Sequence, residues 1–232
     1  MTPRTLTALA LAAFLAAACA PRTTSVSHVE RPDPGPRAEA TSPIATPAGY
    51  YPLETGLTWR YLIEGDALSG APIVTRSVGP TTLDGQLTHR LRTTGRGLDV
   101  TRYYRLDATG LHLVREDRPG AIIQYAPPIL ALPSQEHLML GARWGGGTIA
   151  HVTFPDAPAA HQRHTISVQY TNHITDHRQV TTPAGTHEAF VITTEATDPT
   201  SAAPERYERW FVPHIGELRT PDGLLLTDAT LQ

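Results

Sequence analysis

Two stretches of this chain alternate between apolar and polar residues for seven or eight positions, and this pattern constrains the fold most strongly. The first occupies 57–64 and the second 165–171. A period of two residues is typical of a β-strand that buries one face. The apolar positions are Leu57, Trp59, Tyr61 and Ile63 in the first stretch, and Ile166, Val168 and Tyr170 in the second.

Ten further segments have strand-like composition and are separated by short turn signals such as Asp84-Gly85 and Pro221-Asp222-Gly223. Short gaps favour antiparallel hairpins, since parallel strands need long crossovers. The sequence predicts an all-β fold with a single antiparallel, strongly twisted sheet, open as a half-barrel or closed as a barrel. One or two helical turns are expected between Leu130 and Leu140. The ten segments lie near 73–79, 86–94, 98–107, 111–116, 121–126, 148–154, 174–182, 187–195, 206–212 and 223–227.

The N-terminus has the features of an export signal. Arg4 precedes an apolar run from Leu6 to Ala18, which is shorter than the roughly 20 residues that span a bilayer. A charged start, a short apolar core and small residues before a cleavage point describe a signal peptide over 1–18.

The residues Ala16-Ala17-Ala18-Cys19 resemble the lipobox of bacterial lipoproteins, although leucine is usual where Ala16 stands. The resemblance implies cleavage before Cys19, lipidation of its thiol and anchoring to a membrane. Cys19 is the only cysteine, and ordinary secretion is the alternative. Because no aspartate follows Cys19, the resemblance favours the outer membrane or the cell surface.

Residues 19–48 are expected to form a lipid-anchored, disordered tether. Six prolines and very few aliphatic residues leave this segment too little apolar area to offset the entropy of folding. A Pro-rich spacer is the favoured interpretation, and a PxxP-type ligand at 32–36 is the alternative. The antiparallel β domain is predicted over 49–232.

Composition excludes several classes of function. All 19 cationic residues are arginines and the net charge is −3. Without lysine the chain can form neither a Schiff base nor a P-loop, and the small net charge argues against a nucleic-acid partner. No cofactor is expected.

Four segments recur in an order that resembles a group of secreted, β-rich bacterial lipoproteins of unassigned function, of the TapB and DUF3108 type. The resemblance spans most of 50–226. It implies the β-rich fold and names no catalytic residue. The segments are 51–59, 127–133 with Gly141 and Trp144, 182–190 and 209–216.

Histidines are the candidate metal ligands, because the chain has eleven of them. His173 and His177 share a face if their strand is continuous, and His187 lies one hairpin away. A site formed by these three is a minor hypothesis. His164 is in phase with the apolar residues of 165–171 and is expected to be a core residue.

No catalytic motif is present, and we expect no enzymatic activity. The glycines at 145–147 are interpreted as a bend or bulge and not as a phosphate-binding loop. The charges at 205–209 are interpreted as a solvated strand edge.

Three functions stay open at this point. The first is a membrane-anchored structural or interaction module with an envelope protein as partner. The second is a carrier that binds a lipid or a small apolar ligand in a curled sheet. The third is histidine-based metal binding.

The chain also contains a weak internal similarity. A tryptophan follows a glycine by three residues at Trp59 and again at Trp144, which suggests two similar halves.

Overall fold

The computed structural model describes residues 49–197 and 203–231. Cys19, the predicted signal peptide 1–18 and the tether 19–48 lie outside the described residues. Twelve strands occur in the described part of the chain. They are β1 (Thr58–Ile63), β2 (Ile73–Leu83), β3 (Gln86–Gly95), β4 (Leu98–Asp107), β5 (Gly110–Arg118), β6 (Ala121–Pro133), β7 (Arg143–Thr153), β8 (Arg163–Thr182), β9 (Gly185–Thr197), β10 (Glu205–Val212), β11 (Gly216–Arg219) and β12 (Leu224–Thr230).

The strands form one antiparallel sheet that closes on itself. Each strand pairs with its neighbours in the chain, and β12 pairs with β1 to complete a barrel. The prediction of a single antiparallel sheet is confirmed, and the choice between an open and a closed sheet is settled as closed. Closure removes the unpaired edges that an open sheet would present.

The end of the barrel at which β1 begins is called here the lower end. Residues 49–57 lie there, and the backbone N–H of His214 donates to the Tyr50 carbonyl oxygen over 2.8 Å. Tyr51 stacks on Phe211 with 5.9 Å between ring centroids. The segment before β1 is therefore packed into the main apolar core. This core is formed by Tyr50, Leu53, Leu57, Trp59, Tyr61, Ile73, Leu91, Leu111, Leu132, Leu138, Ile174, Val180, Ala189, Ile192, Phe211, Leu218, Leu224, Leu226 and Leu231.

Of the one or two helical turns expected between Leu130 and Leu140, one is present. Residues up to Pro133 belong to β6, and a single 3₁₀ turn at Gln135–His137 follows it. Leu132 is fully buried and pairs with Leu111 of β5, so sheet pairing decides the conformation of this apolar stretch. None of the described residues forms a helix long and apolar enough to cross a membrane.

The glycines at 145–147 are not a bend or bulge, as the sequence suggested, but part of β7. They pair in unbroken register with Thr171, Tyr170 and Gln169 of β8. A Cβ atom on Gly145 would lie 2.3 Å from the Tyr170 carbonyl oxygen, and one on Gly147 would lie 2.6 Å from the Gln169 amide nitrogen. The close approach of the β8 backbone therefore explains glycine at position 145, whereas at position 147 the contact is with the end of a flexible side chain.

The internal similarity corresponds to a repeated hydrogen-bond pattern. Gly56 N–H donates to Ser77, and Ser77 N–H donates back to Leu57. In the same way Gly141 N–H donates to Ile174, and Ile174 N–H donates back to Ala142. A register shift follows in both strands, after Ser77 in β2 and after Ile174 in β8. The two glycines are thus equivalent positions of two similar strand pairs.

The two halves stand opposite each other. In each half the tryptophan is the second residue of its strand, Trp59 in β1 and Trp144 in β7. These strands are separated by five others in either direction around the barrel. The described barrel therefore has an approximate two-fold repeat of six strands, as the sequence similarity suggested.

Candidate functional site

The middle of the barrel interior is crossed by a buried arginine. Arg209 of β10 pairs in register with the fully buried Ile192. Its guanidinium contacts the Glu217 carboxylate at 3.2 Å and donates to the backbone carbonyl of Ala131 in β6. Strands β7, β8 and β9 separate β10 from β6 around the wall, so this contact spans the interior. The interpretation of 205–209 as a solvated strand edge is therefore wrong for Arg209.

A second charged group lies near the upper end. The Glu116 carboxylate, whose side chain is 3% exposed, lies 2.7 Å from Nε of Arg102 and also contacts Arg118. Arg102 also approaches Asp222, in the turn between β11 and β12, at 3.9 Å. Burial on its own would raise the pKa of Glu116, but the charges of Arg102 and Arg118 outweigh it and lower that pKa. Glu116 is therefore held as an anion between two cations.

Phenol side chains occupy the space between these two charged groups. Burial raises the pKa of Tyr104 to about 12 and that of Tyr61 well above its ordinary value, so both stay neutral. The Tyr61 hydroxyl donates to the Glu217 carbonyl oxygen over 3.0 Å. The interior of the described barrel is thus filled by charged, phenolic and apolar side chains. A carrier for a lipid or a small apolar ligand would need an apolar cavity in this part of the interior.

The wall of the barrel changes character between β6 and β7. Their backbone ladder ends at the pair Ala126 and Ile149. Below this pair, side chains of β7 and β8 form hydrogen bonds with the backbone of β6. The Leu130 N–H donates to the Tyr170 hydroxyl over 2.9 Å, and Trp144 Nε1 donates to the Leu130 carbonyl over 3.1 Å. We call this part the β6–β7 seam.

A groove of about 400 Å³ lies beside the seam, over β7, β8 and β9. It exists because the glycines at 145 and 146, which are exposed, leave space where other residues would place side chains. Small-molecule sites occupy roughly 300 to 1,000 Å³. The groove is lined by Arg143, Trp144, Gly145, Gly146, Gln169, Tyr170, Thr171, Glu195, Thr197 and Pro204.

The side chains of Trp144 and Tyr170 lie on the inner face of the sheet, since Trp144 pairs with the buried Asn172 and Tyr170 precedes Asn172 by two residues, and their polar atoms are engaged at Leu130. The other polar side chains are exposed. Glu195 has a distant contact with Arg206 at 4.0 Å. Among the described residues, the side chains of Arg143, Gln169 and Thr171 have no hydrogen-bond or ion-pair partner. This groove was not predicted from the sequence, in which its one signal is three consecutive glycines beside a tryptophan.

The three histidine candidates for a metal site are placed separately on β8 and β9. His173 pairs with Thr193, His177 stacks on Phe190 at 4.4 Å, and His187 pairs with Val180. The register shift after Ile174 breaks the continuous strand on which the expected shared face of His173 and His177 depended. Within the described part of the chain, no three His, Cys, Asp or Glu side chains are grouped as a metal site would require.

His164 lies where the sequence placed it. It is half-buried on the same side of β8 as Ile166, with its ring edge-on to Phe154 at 5.6 Å. Its Nε2 is 3.0 Å from the His161 carbonyl oxygen. The predicted phase of His164 with Ile166 is confirmed, but the residue is half-buried and is not part of the buried core.

A hydroxyl and an imidazole meet at the lower end. Ser134 Oγ lies 2.8 Å from His137 Nδ1, and the Glu136 carboxylate lies 3.7 Å from the same nitrogen. A Ser–His–acid relay needs the hydroxyl and the carboxylate on opposite ring nitrogens. Here both face Nδ1 at the start of the exposed 3₁₀ turn, so the three side chains are not arranged as such a relay.

No family model matches the chain, so the resemblance to the TapB and DUF3108 type stays a prediction. No curated protein matches it either. Two solved structures are similar at low scores. The hypothetical lipoprotein YmcC from Escherichia coli has 9% identity, covers 68% of this chain and 70% of its own, and has a TM-score of 0.35. An exported protein with a YmcC-like fold from Bacteroides fragilis has 13% identity, coverages of 78% and 99%, and a TM-score of 0.38.

Proposed function

We propose that this chain is an exported lipoprotein, anchored through Cys19, whose barrel acts as a binding module at the cell envelope. The lipobox-like residues before Cys19 and the Pro-rich segment after it support the anchor and the tether. The barrel is the part that recognises a partner.

The observation that favours the outer surface as the binding face is the contact of Arg209 with Ala131 across the interior. A barrel that is tied across its middle by a buried guanidinium holds no ligand there, because a ligand would have to displace that contact and leave charge unpaired. Recognition is therefore assigned to the outer surface, where the groove over β7 to β9 lies.

The anchor is tested by expressing the full chain and its Cys19→Ala variant in a Gram-negative host. We expect the wild type to partition into detergent and to carry an acylated N-terminal peptide in mass spectrometry. The variant should stay in the aqueous phase. Equal partitioning of both proteins would overturn the anchoring proposal.

The binding role is tested by sedimentation of the aqueous Cys19→Ala protein with purified envelope fractions. Outer-membrane vesicles and intact peptidoglycan sacculi are the two fractions used. We expect saturable co-sedimentation with one of them. A protein that stays in the supernatant with both would contradict the binding module.

A further inference from the structure

We propose that the edge of β7 at the β6–β7 seam binds an extended peptide as an added strand. This inference rests on the proposed binding-module function and names the class of partner. It comes from three properties of the wall: a ladder that stops partway along β7, backbone groups of β7 that lie beyond its end, and glycines that keep the approach open.

The other half of the barrel shows a strand at the equivalent position. β1, which is equivalent to β7, pairs with β12 along its whole length, from Thr58 to Ile63. The corresponding stretch of β7, residues 143–148, has no ladder with β6, because that ladder stops at Ala126 and Ile149. Below this point β6 stays paired with β5. Within the described part of the chain, β7 therefore lacks a strand that β1 has.

Alternate residues of this stretch direct their backbone N–H and C=O groups to the seam. Ile174 N–H donates to the Ala142 carbonyl. The Tyr170 carbonyl oxygen lies on the β7 side of its strand, since a Cβ on Gly145 would be only 2.3 Å from it. Even-numbered residues of β7 therefore bond to β8, and odd-numbered residues face away from it. The residues that face the seam are Arg143, Gly145 and Gly147, and all three are exposed.

The opposite side of the seam is already engaged by side chains. The N–H and C=O groups of Leu130 in β6 bond to Tyr170 and Trp144. The Pro127 carbonyl accepts from the Thr148 hydroxyl over 2.6 Å. These three side chains come from the inner face of the sheet. β6 is thus capped from inside the barrel, and a peptide that pairs with β7 from outside can leave these hydrogen bonds in place.

The glycines determine which side chains the added strand can carry. Gly145 and Gly147 lie on the outer face of β7 and place no side chain there. Directly opposed side chains of neighbouring strands are about 4.5–5.5 Å apart, and an aromatic ring opposite a glycine covers the backbone that the glycine exposes. Proline lacks the N–H that a ladder needs. The structure therefore favours a proline-free segment with large side chains at alternate positions.

A second copy of this chain is the main competitor, because free strand edges of identical chains can pair. The β7 edge is not the end of a sheet, however. Above the seam β7 is joined to β6 from Ile149 to Thr153. A second copy would have to bring its own β6 towards the same gap. A separate peptide carries no flanking strand, and this difference favours the peptide.

The probe is a phage-displayed library of random peptides of about nine residues, a usual strand length. It is selected on the full chain with Cys19→Ala. The strongest binder is synthesised, and its affinity is measured by calorimetry. Two N-methylated forms of that peptide are the matched probes, one with methyl groups at its even positions and the other at its odd positions. Only one of these sets can direct its N–H groups to β7.

Gly147→Pro is the variant that blocks the edge. It removes an N–H that faces the seam, and the β8 ladder does not use this group. The nearest atoms to a Cβ at this position belong to the flexible Gln169 side chain, so we expect the variant to fold. Thr165→Val is the control, because Thr165 is exposed on β8 and pairs above the seam with His151. Thermal unfolding of both variants is compared with that of the parent.

We expect one methylated form to bind at least about tenfold more weakly than the unmethylated peptide, and the other to bind equally well. Gly147→Pro should lower the affinity by a similar factor, and Thr165→Val should leave it unchanged. Equal binding of both methylated forms, or parent-like affinity of a folded Gly147→Pro, would overturn the pairing with β7. If Gly147→Pro does not fold, the two methylated forms decide the question.

Two further results would overturn the peptide as occupant. One is a library that yields no binder. The other is a dimer of the parent, seen by analytical ultracentrifugation, that Gly147→Pro dissociates, which would assign the edge to a second copy.

The failure of this inference is distinguishable from the failure of the binding module. If the chain sediments with an envelope fraction but selects no peptide, the module stands and the added strand fails. If the chain selects peptides but sediments with neither fraction, the β7 edge stands and the envelope role fails.

Discussion

Arg209 on β10 donates a hydrogen bond across the barrel interior to the backbone carbonyl of Ala131 on β6. The same guanidinium contacts Glu217 on β11. One side chain therefore ties three strands that are not all neighbours in the sheet. Arg209 therefore links opposite sides of the barrel and also compensates the charge of the Glu217 carboxylate.

Replacement of Arg209 by methionine should be strongly destabilising. The variant leaves the Glu217 carboxylate and the Ala131 carbonyl without their partner in the interior, and breaking a buried pair from one side costs about 3–5 kcal/mol. The free energy of unfolding in urea measures this loss. Arg178→Met is the matched control, because the contact between Arg178 and Asp176 is exposed and such pairs contribute at most about 1 kcal/mol. A similar loss in both variants would contradict the role of the cross-barrel contact.

The buried carboxylate of Glu116 should make stability depend on acidic pH. Its pKa is lowered in the folded chain from an ordinary value of 4.5. A lowered pKa contributes stability that is present above about pH 4.5 and is lost as pH falls through the folded-state pKa. Glu116→Gln should be less stable than wild type by about 3 kcal/mol at pH 7. That difference should shrink as the pH falls towards 3.

Urea midpoints of both proteins between pH 7 and pH 3 measure this convergence. Asp107, whose pKa is lowered to about 2, titrates in both proteins and therefore cancels in the comparison. A difference that stays constant over the range would show that Glu116 acts through packing and not through its charge.

Neighbouring glycines of β7 should respond very differently to alanine. A Cβ at Gly145 would lie 2.3 Å from the Tyr170 carbonyl oxygen, whereas at Gly146 the nearest atom is the Tyr170 hydroxyl oxygen at 3.7 Å. Overpacking against the backbone should cost about 1–3 kcal/mol for Gly145→Ala. Gly146→Ala should be within about 1 kcal/mol of wild type. Thermal unfolding of the two variants distinguishes them, and equal melting temperatures would refute the close approach of β8.

The β6–β7 seam should open locally when its bridges are removed. Tyr170→Phe deletes the hydroxyl that accepts from the Leu130 N–H, and a lost hydrogen bond of this kind costs about 1 kcal/mol. We expect faster amide exchange at Leu130, measured by hydrogen–deuterium exchange. Tyr103→Phe removes a hydroxyl that contacts Asp117 elsewhere, and it should leave the Leu130 amide unchanged. Unchanged exchange in Tyr170→Phe would show that the seam is held by other contacts.

Local patterning predicted much of the fold but little of the site. The segment 98–107 was expected to be a strand and is β4, because its composition and flanking turns agree with its sheet environment. The glycines at 145–147 were misinterpreted, since their strand conformation depends on pairing with β8, which comes from a later part of the chain.

The burial of Arg209 is a second feature that local sequence patterns could not predict. Its neighbours in sequence include Arg206 and Glu208, a composition typical of a solvated surface. Its burial depends on Glu217 and Ala131, and neither contact can be identified from spacing. The groove could not be predicted from the sequence either. Its lining comes from three strands, and part of its space is left open because glycines have no side chain.

The equivalence of Gly56 and Gly141 has a consequence for how such a barrel could arise. Six strands on their own would end in two open edges, and each edge is a template for pairing with another chain. Two identical six-stranded chains joined at both edges would close the same ring with two-fold symmetry. The present chain has this arrangement within a single polypeptide, with β1 to β6 and β7 to β12 as the two halves.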